Sequence, residues 1–263
     1  MFNILLQSSM IPATLPERIL FYFGAVLYFG CAALLFVQSL RSGADRRPRR
    51  ALAFILLLWG AAHVAFGMQG TAITAPACHP VSVPALLGGN VYVIISLLYP
   101  LELARPGWIT FIRVAQLLLP FLVVTGIYLL VLGLSGESVR DLNSLASLLT
   151  HIGEFNVWYR IVLYLSICFY MVYMFMNTGV AALDADRLPG DPSPAPDCGR
   201  LAQLRIYGAV MLCISLAYLV TLLFSTPGSM FVHRLLSVLL FGVVTLFAVR
   251  RPAGMPAKTV GQP

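Results

Sequence analysis

The sequence predicts an all-α membrane protein, a bundle of seven transmembrane helices, on the basis of three observations. The 263 residues are 59% hydrophobic and only 10% charged, whereas soluble domains carry roughly a quarter charged residues. Seven apolar runs reach about the 20 residues that a helix needs to span a bilayer. The basic residues gather in the connectors between these runs, as they do in polytopic membrane proteins.

The seven predicted spans follow one another through mostly short connectors. The third is the shortest and the fifth the longest. They are Ile19–Leu40, Ala51–Gly70, Leu86–Leu103, Phe111–Leu134, Trp158–Leu183, Leu204–Phe224 and Phe231–Val249. Residues 1–250 are therefore predicted to form one transmembrane domain, and residues 251–263 a short flexible tail on the cytoplasmic side.

The orientation of the bundle is predicted from the distribution of lysine and arginine. Thirteen of the 17 lie next to the ends of spans one, three and five or in the tail, and four lie on the opposite side. An N-terminus outside and a C-terminus in the cytoplasm are therefore predicted, in an inner or plasma membrane. The densest group is Arg46, Arg47, Arg49 and Arg50. We expect it to fix the topology, or to contact anionic lipid head groups at about 1 kcal/mol per residue.

Two connectors are longer than the rest. Leu142, Leu145, Leu148 and Leu149 occur at helical spacing, which predicts an interfacial helix on the outer side over Ser135–Thr150, capped by Ser135 or Ser138. The connector Asp184–Arg200 holds four prolines and four aspartates. That composition is typical of a flexible loop.

The segment Tyr99–Trp108, with the sequence YPLELARPGW, ends span three. Glu102 and Arg105 are three residues apart, so on one helix they would share a face and pair. Pro106 and the glycine after it predict that the helix stops there. Two interpretations are open: a helix end anchored at the interface by Trp108, or a cytoplasmic switch formed by the two charged residues.

Two prolines lie inside predicted spans, Pro100 in span three and Pro120 in span four. Proline lacks a backbone N–H and is expected to kink a helix. The carbonyl groups freed in this way are expected in the bundle interior, where they suit either a ligand cavity or plain packing.

The four histidines are all predicted in the outer half of the protein. His63, His79, His151 and His233, together with Glu154, form a candidate ligand or metal cluster, because imidazole and carboxylate bind zinc and iron. No HxxxH or HExxH spacing supports a metal. A pH-responsive cluster and a set of unconnected interfacial histidines are the alternatives, and no metal is assigned.

Span five is rich in aromatic residues, which are candidates for lining a polar cavity or for packing. Tyrosines within a bilayer need hydrogen-bond partners. The residues considered are Tyr159, Tyr170, Tyr173, Asn156 and Asn177, against Asn90, Tyr92, Tyr207 and Tyr218. An aromatic stripe at helical spacing is more typical of packing.

Several classes of protein are excluded by what the sequence lacks. It contains no GxSxG, Walker or HExxH motif, so we do not expect an enzyme. The only lysine is Lys258, which excludes a retinal Schiff base inside a span. No cofactor is predicted, and the five cysteines contain no CxxC pair.

The pattern YPLELARPGW, followed by a leucine-rich span with a proline, resembles the N-terminal multi-helix membrane region of Bacteroidetes AraC-type regulators and sensor kinases. The match rests on Tyr99, Pro100, Glu102, Arg105, Pro106, Gly107 and Trp108. The resemblance implies a sensory input domain with a cytoplasmic C-terminus. No helix-turn-helix or kinase module follows span seven in this sequence, so direct nucleic-acid binding is not carried over. A stand-alone sensor and a split or truncated relative are both compatible with this.

A sensory or receptor-like module is the function predicted from these observations. A ligand or envelope condition would be read in the outer half, and the spans would shift about Pro100 and Pro120. The expected partners are the lipid bilayer and a cytoplasmic regulator or kinase, or a second copy of the chain. A small-molecule transporter or channel is the first alternative, and a metal-binding membrane protein or enzyme the second.

Overall fold

The computed structural model of the chain describes residues 15–41, 46–69, 81–136, 142, 145–187, 198–224 and 227–250. These residues form eight helices and no strand. The helices are α1 (Leu15–Arg41), α2 (Arg46–Gln69), α3 (Val83–Ala104), α4 (Phe111–Ser135), α5 (Leu145–Thr150), α6 (Phe155–Arg187), α7 (Cys198–Phe224) and α8 (Pro227–Arg250). All except α5 are long and apolar enough to cross a membrane. The chain is an integral membrane protein with an all-α fold.

Each predicted span corresponds to one of the long helices, so the predicted fold class is confirmed. Most helices extend a few residues beyond the predicted ends. The largest consequence is at α2, whose first residue is Arg46 rather than the predicted Ala51. The arginines Arg46, Arg47, Arg49 and Arg50 thus form the first turns of a helix instead of a connector. Their charge opposes the helix dipole, and no acidic residue lies in that first turn.

The helices pack mainly in pairs. The closest pairs are α1 with α2, α3 with α6, and α7 with α8, while α2 also packs on α3 and α1 on α8. Their buried faces form one large hydrophobic core cluster. Helix α4 is peripheral: its buried residues are Leu117, Phe121, Tyr128 and Leu132. Most of its apolar surface is therefore left for lipid.

The two long connectors differ from their predictions. Among the described residues, the outer helix covers Leu145–Thr150. Ser135 is instead the last residue of α4, which Gly136, with φ +66°, ends. Leu142 is buried, although it belongs to no helix. Residues 137–141, which include Ser138, lie outside the described residues.

The predicted flexible loop between spans five and six is shorter than expected. Helix α6 continues to Arg187, and α7 already begins at Cys198. Residues 188–197, which hold the four prolines, and the tail 251–263 lie outside the described part of the chain. The loop prediction therefore applies only to that interval and stays a prediction there.

Tyrosines of neighbouring helices donate to backbone carbonyls near both prolines, and at Pro100 the acceptor is the carbonyl that the proline frees. Because Pro100 has no N–H, the Ser96 carbonyl lacks its helical donor, and the Tyr207 hydroxyl of α7 donates to it at 2.6 Å. Near Pro120, the Tyr170 hydroxyl of α6 donates to the Leu117 carbonyl at 2.7 Å. The expectation that such carbonyls lie in the bundle interior is confirmed at Pro100.

A fully buried asparagine joins α3 to α6. The Asn90 side-chain amide N–H groups donate to the Leu86 carbonyl at 2.9 Å and to the Leu163 carbonyl at 3.0 Å. Its Oδ1 accepts from the Ser166 hydroxyl at 2.8 Å. All three bonds are buried or partly buried, so they fix the register of these two helices.

Candidate functional site

Five aromatic side chains from four helices form a closed ring in the bundle interior, which we call the inner cluster. His63 and Trp59 come from α2, and Tyr28, Tyr92 and Phe241 come from α1, α3 and α8. Ring centroids lie 5.0 Å apart for Tyr28 and His63, and 6.4 Å for Tyr28 and Phe241. The distances are 5.9 Å for Phe241 and Tyr92, and 4.0 Å for Tyr92 and Trp59. The α2 backbone between Trp59 and His63 completes the ring.

Local sequence explains how α2 and α1 build this site. Trp59 and His63 are four residues apart, so they project from one face of α2. Helix α1 can approach that face closely because Gly24 has no side chain. A Cβ atom at Gly24 would lie 2.6 Å from His63 Cδ2 and 3.2 Å from Val238 Cγ2. The glycine therefore leaves the space that the imidazole occupies.

The hydrogen bonding of His63 fixes its tautomer. Nδ1 lies 2.9 Å from the Trp59 carbonyl oxygen, and a carbonyl can only accept, so Nδ1 carries the proton. Nε2 then presents a lone pair. The side chain is only 3% exposed, and Nε2 is buried without a hydrogen-bond partner among the described residues.

Two further polar atoms of the inner cluster are also buried without a hydrogen-bond partner among the described residues. Trp59 Nε1 and the Tyr92 hydroxyl are buried and have no hydrogen-bond partner within the described part of the chain. Ser96 Oγ, one turn along α3 from Tyr92, is a fourth such atom. Each unsatisfied buried group costs about 1–3 kcal/mol. Buried polar atoms of this kind can be satisfied by a small polar molecule or by a buried water.

The inner cluster lies beside a positive charge but contains none. Phe21 packs edge-on against His63, with centroids 6.1 Å apart. The Arg234 guanidinium lies over the Phe21 ring at 4.9 Å and over Phe66 at 5.5 Å, in cation–π geometry. Phe21 therefore separates the Arg234 guanidinium from His63.

The structure does not bring the predicted histidine cluster together. His63 points into the inner cluster, His151 lies with Nδ1 2.8 Å from the Ser147 carbonyl, and His233 packs on Tyr218 at 5.6 Å. Among the described residues, no group of three or more His, Cys, Asp or Glu side chains could hold a metal. His63 and His233 lie on α2 and α8, His151 and Glu154 lie in the turn between α5 and α6, and His79 lies outside the described residues.

Glu154, the carboxylate of that predicted cluster, lies in the turn before α6. Its backbone carbonyl accepts from the Val157 N–H at 3.0 Å, and its own N–H donates to the His151 carbonyl at 3.0 Å. Within the described region, backbone bonds of a tight turn therefore connect Glu154 and His151.

The Glu102 carboxylate forms a second polar feature, at the end of α3. Its side chain is fully buried. Oε1 accepts from the Gly107 N–H at 2.8 Å, and Oε2 accepts from the Ile109 N–H at 2.8 Å. The carboxylate thus holds the backbone from Arg105 to Ile109, which we call the Glu102 turn. Two short bonds to a carboxylate are strong by the standards of protein hydrogen bonds.

The predicted pairing of Glu102 with Arg105 is wrong. Helix α3 ends at Ala104, and Arg105 has extended backbone angles, φ −133° and ψ 93°. Its side chain leaves the helix face and is exposed. The left-handed Gly107, with φ +84°, turns the chain so that its own N–H and that of Ile109 both face the carboxylate.

Arginines surround the Glu102 turn. Arg47 Nη1 lies 3.3 Å from the point that a Cβ on Gly107 would occupy, so α2 contributes a guanidinium to this end. Arg113 Nη1 donates to the Trp108 carbonyl at 3.4 Å. Trp108 is only 8% exposed and belongs to the hydrophobic core, which differs from the interfacial anchor expected.

The other residues predicted for the basic group and for the segment Tyr99–Trp108 differ in their exposure. Arg49 is buried at 5% exposure, Arg46 is exposed, and Pro106 is exposed in the turn. Tyr99 is buried and packs on Tyr207 with centroids 5.2 Å apart. Both Tyr99 and Pro100 therefore belong to the packed interior.

Among the described residues, the tyrosines and asparagines of span five are used in individual hydrogen bonds. Tyr128 donates to Asn156 Oδ1 at 2.8 Å, and Tyr159 donates to Thr125 at 3.4 Å. Asn177 donates to the Tyr173 carbonyl at 2.9 Å. The first two bonds join α6 to α4, as a packing role predicts.

Sequence reasoning missed most of the inner cluster. It identified His63 and Tyr92 but not Trp59, Tyr28 or Phe241. The spacing of four between Trp59 and His63 was a usable signal. Tyr28 and Phe241 lie on helices near opposite ends of the chain, and no sequence pattern connects them.

Comparison with protein-family models, curated proteins and solved structures finds no match for this chain. The function is therefore argued from the geometry of the two polar features. Helix α3 contributes Tyr92 to the inner cluster and Glu102 to the turn at its end. A single rigid element thus joins the two features.

Proposed function

We propose that this chain is a receptor-like sensor of the membrane, in which a small molecule in the inner cluster alters the Glu102 turn. The observation that carries the proposal is the set of buried atoms without hydrogen-bond partners within the described residues, His63 Nε2, Trp59 Nε1 and the Tyr92 hydroxyl. Binding sites of this kind combine aromatic walls with a few convergent polar groups. A guest would supply the partners that these atoms lack.

Helix α3 provides the mechanical link. Tyr92 and Glu102 are ten residues apart, about 15 Å along a helix, and Pro100 lies between them. At Pro100 the helix depends on Tyr207 of α7 for a hydrogen bond. A shift of Tyr92 would therefore be transmitted either to the Glu102 turn or to this contact.

The arginine distribution predicts that the Glu102 turn faces the cytoplasm, where a regulator, a kinase or a second copy of the chain could contact it. The resemblance of Tyr99–Trp108 to membrane input regions of Bacteroidetes regulators supports the same output end. Arg105 and Pro106 are exposed there. They form the surface on which a change in the turn would be presented.

The coupling can be tested before any ligand is known, by moving His63 through its neighbour. Gly24→Ala places a methyl group 2.6 Å from His63 Cδ2, whereas Gly30→Ala on the same helix meets nothing within 4 Å. A spin label at Arg105→Cys, in a cysteine-free background, reports on the Glu102 turn. We expect Gly24→Ala to change the label's spectrum in nanodiscs and Gly30→Ala to leave it unchanged. Identical spectra for both variants would contradict the proposed coupling.

A transporter remains the second candidate because the polar face of α3 continues beyond the inner cluster. Ser96 Oγ is buried without a hydrogen-bond partner in the described region and lies one turn nearer the Glu102 turn than Tyr92. A transport pathway would admit water there. In the cysteine-free background, Ser96→Cys should react with a membrane-impermeant thiol reagent if this path conducts. It should be protected from both sides if the site is a closed receptor pocket.

A further inference from the structure

The inner cluster also restricts what its ligand can be. We infer that it takes a neutral hydroxylated aromatic molecule, of the phenol or quinol class. This inference rests on the function proposed above, since it assigns a chemical class to the same site. It is carried by the donor and acceptor roles of three atoms, by the surrounding rings and by the lack of charge on those rings.

The hydrogen-bonding roles of the cluster are complementary to a hydroxyl group. His63 Nε2 can only accept, because Nδ1 donates to the Trp59 carbonyl. Trp59 Nε1 can only donate, and the Tyr92 hydroxyl can do either. A ligand hydroxyl can donate to His63 while its oxygen accepts from Trp59 or Tyr92. A ligand with acceptors alone would leave His63 Nε2 buried and unsatisfied.

The rings that surround these atoms favour an aromatic body. Interplanar angles are 82° for Tyr28 and His63, 83° for Tyr28 and Phe241, and 82° for Tyr92 and Phe241. These rings are in edge-to-face contact. A flat ring can join such an array by presenting its face to one neighbour and its edge to another, which is the preferred arrangement of aromatic pairs.

The charge balance favours a neutral ligand. The five rings of the inner cluster carry no permanent charge, and Arg234 lies over Phe21, which packs on His63. A charged ligand would lose its hydration on entering the buried cluster, and none of the five rings carries an opposite charge that would compensate for this loss. An anionic ligand has no hydrogen to donate to His63 Nε2 unless it carries a second polar group. A phenol stays protonated at neutral pH, because its pKa is about 10.

Exposure indicates how such a ligand would enter. The side chain of His63 is buried, but the rings of Trp59 and Tyr92 are only partly buried, although their polar atoms are inaccessible. The neighbouring helices α2 and α3 contribute these two rings. A phenol dissolved in the bilayer can therefore reach the cluster laterally along this pair of helices.

Two matched fluorine probes test the inference on the full chain in nanodiscs. 4-Fluorophenol carries the hydroxyl donor, and 4-fluoroanisole has the same ring without it. Binding is measured by ¹⁹F NMR line broadening, with empty nanodiscs as the partitioning blank. We expect 4-fluorophenol to bind roughly five- to tenfold more tightly than 4-fluoroanisole, the difference that one buried hydrogen bond supplies. Equal affinities for the two probes would overturn the inference.

Variants locate the binding at the inner cluster. His63→Phe should abolish the preference for 4-fluorophenol while keeping an aromatic ring in place, and Gly30→Ala should preserve it. If the His63→Phe variant still prefers 4-fluorophenol, the ligand hydroxyl does not bind at His63, and the assignment of the ligand to the inner cluster is overturned. Charged probes of similar size, 4-fluorobenzylamine and 4-fluorobenzoate, should bind more weakly than 4-fluorophenol, and tighter binding of either would refute neutrality.

The outcomes separate this inference from the receptor proposal. If neither neutral probe binds but Gly24→Ala still changes the spin label at Arg105→Cys, the ligand class is wrong and the coupling stands. If 4-fluorophenol binds through His63 and the label does not respond to it, the ligand class stands and signalling fails. Failure of both assays would indicate that buried water alone occupies the cluster.

Discussion

Replacing Glu102 tests how the end of α3 is held. Glu102→Ala removes the acceptor for the Gly107 and Ile109 N–H groups, both at 2.8 Å. Hydrogen bonds to charged groups contribute about 1.5–3 kcal/mol each, so the variant should lose about 3–6 kcal/mol of unfolding free energy. Glu102→Gln keeps one acceptor oxygen but turns an NH₂ group towards an N–H donor. It should lose roughly half as much, about 2–3 kcal/mol.

Arg105→Ala is the matched control. Arg105 is exposed, and its backbone bonds to Leu101 and Trp108 do not involve the side chain. Its replacement should change the unfolding free energy by no more than about 0.5 kcal/mol. Stability is measured by equilibrium unfolding in mixed micelles, where folded and SDS-unfolded protein interconvert, with helix content as the signal.

A double-mutant cycle gives the result that would refute the reasoning. If Glu102 is held by the turn rather than by Arg105, the two alanine substitutions should be additive to within about 0.5 kcal/mol. Two results would instead support an ion pair between Glu102 and Arg105. One is a coupling energy above about 1 kcal/mol, and the other is a loss of unfolding free energy in Arg105→Ala as large as that in Glu102→Ala. The bonds to Gly107 and Ile109 would then be the minor contribution.

Three further substitutions and one control, Gly30→Ala, test the close contacts described above by the same unfolding measurement. Gly24→Ala should cost about 1–3 kcal/mol through overpacking against His63, whereas Gly30→Ala should be neutral or stabilise by up to about 1 kcal/mol; equal effects would contradict the close approach. Gly107→Ala should cost about 1–2 kcal/mol because φ is +84°, and a neutral result would place that turn in another conformation. Asn90→Leu should cost about 1–3 kcal/mol, since interhelical bonds in membranes contribute about 0.6 kcal/mol each and up to 1.7; an unchanged stability would show that the network is not needed.

The seven spans were predictable because the bilayer imposes one dominant requirement. Any segment that crosses must satisfy its backbone internally and present apolar side chains, and both properties are local to the sequence. The first and last residues of the helices were less predictable. Arg46 to Arg50 are charged, so hydropathy assigns them to a connector, yet a helix can begin among arginines where their charges remain near the interface.

The two polar features were predictable only where their geometry is local. Glu102 was correctly singled out, but its partner depends on whether the helix continues through Arg105 or stops at Ala104. That choice decides between an ion pair and bonds to backbone N–H groups. The inner cluster depends on α1 and α8 meeting across α2 and α3, which is a matter of tertiary packing. Periodicity within one helix can place His63 beside Trp59 but cannot place Phe241 between Tyr28 and Tyr92.

The hydrogen bond at Pro100 has a consequence for the order in which the protein assembles. The Ser96 carbonyl accepts from Tyr207, which is synthesised 111 residues later. The donors to Glu102 are only five and seven residues further along the chain. At synthesis rates of roughly 5–20 residues per second, the delay is about 6–22 s. Helix α3 can therefore enter the bilayer with its carboxylate already accepting hydrogen bonds, while the carbonyl freed by Pro100 still lacks a donor. The hydrogen bond to this carbonyl can form only after α7 has been inserted, which makes the contact a late step of biogenesis.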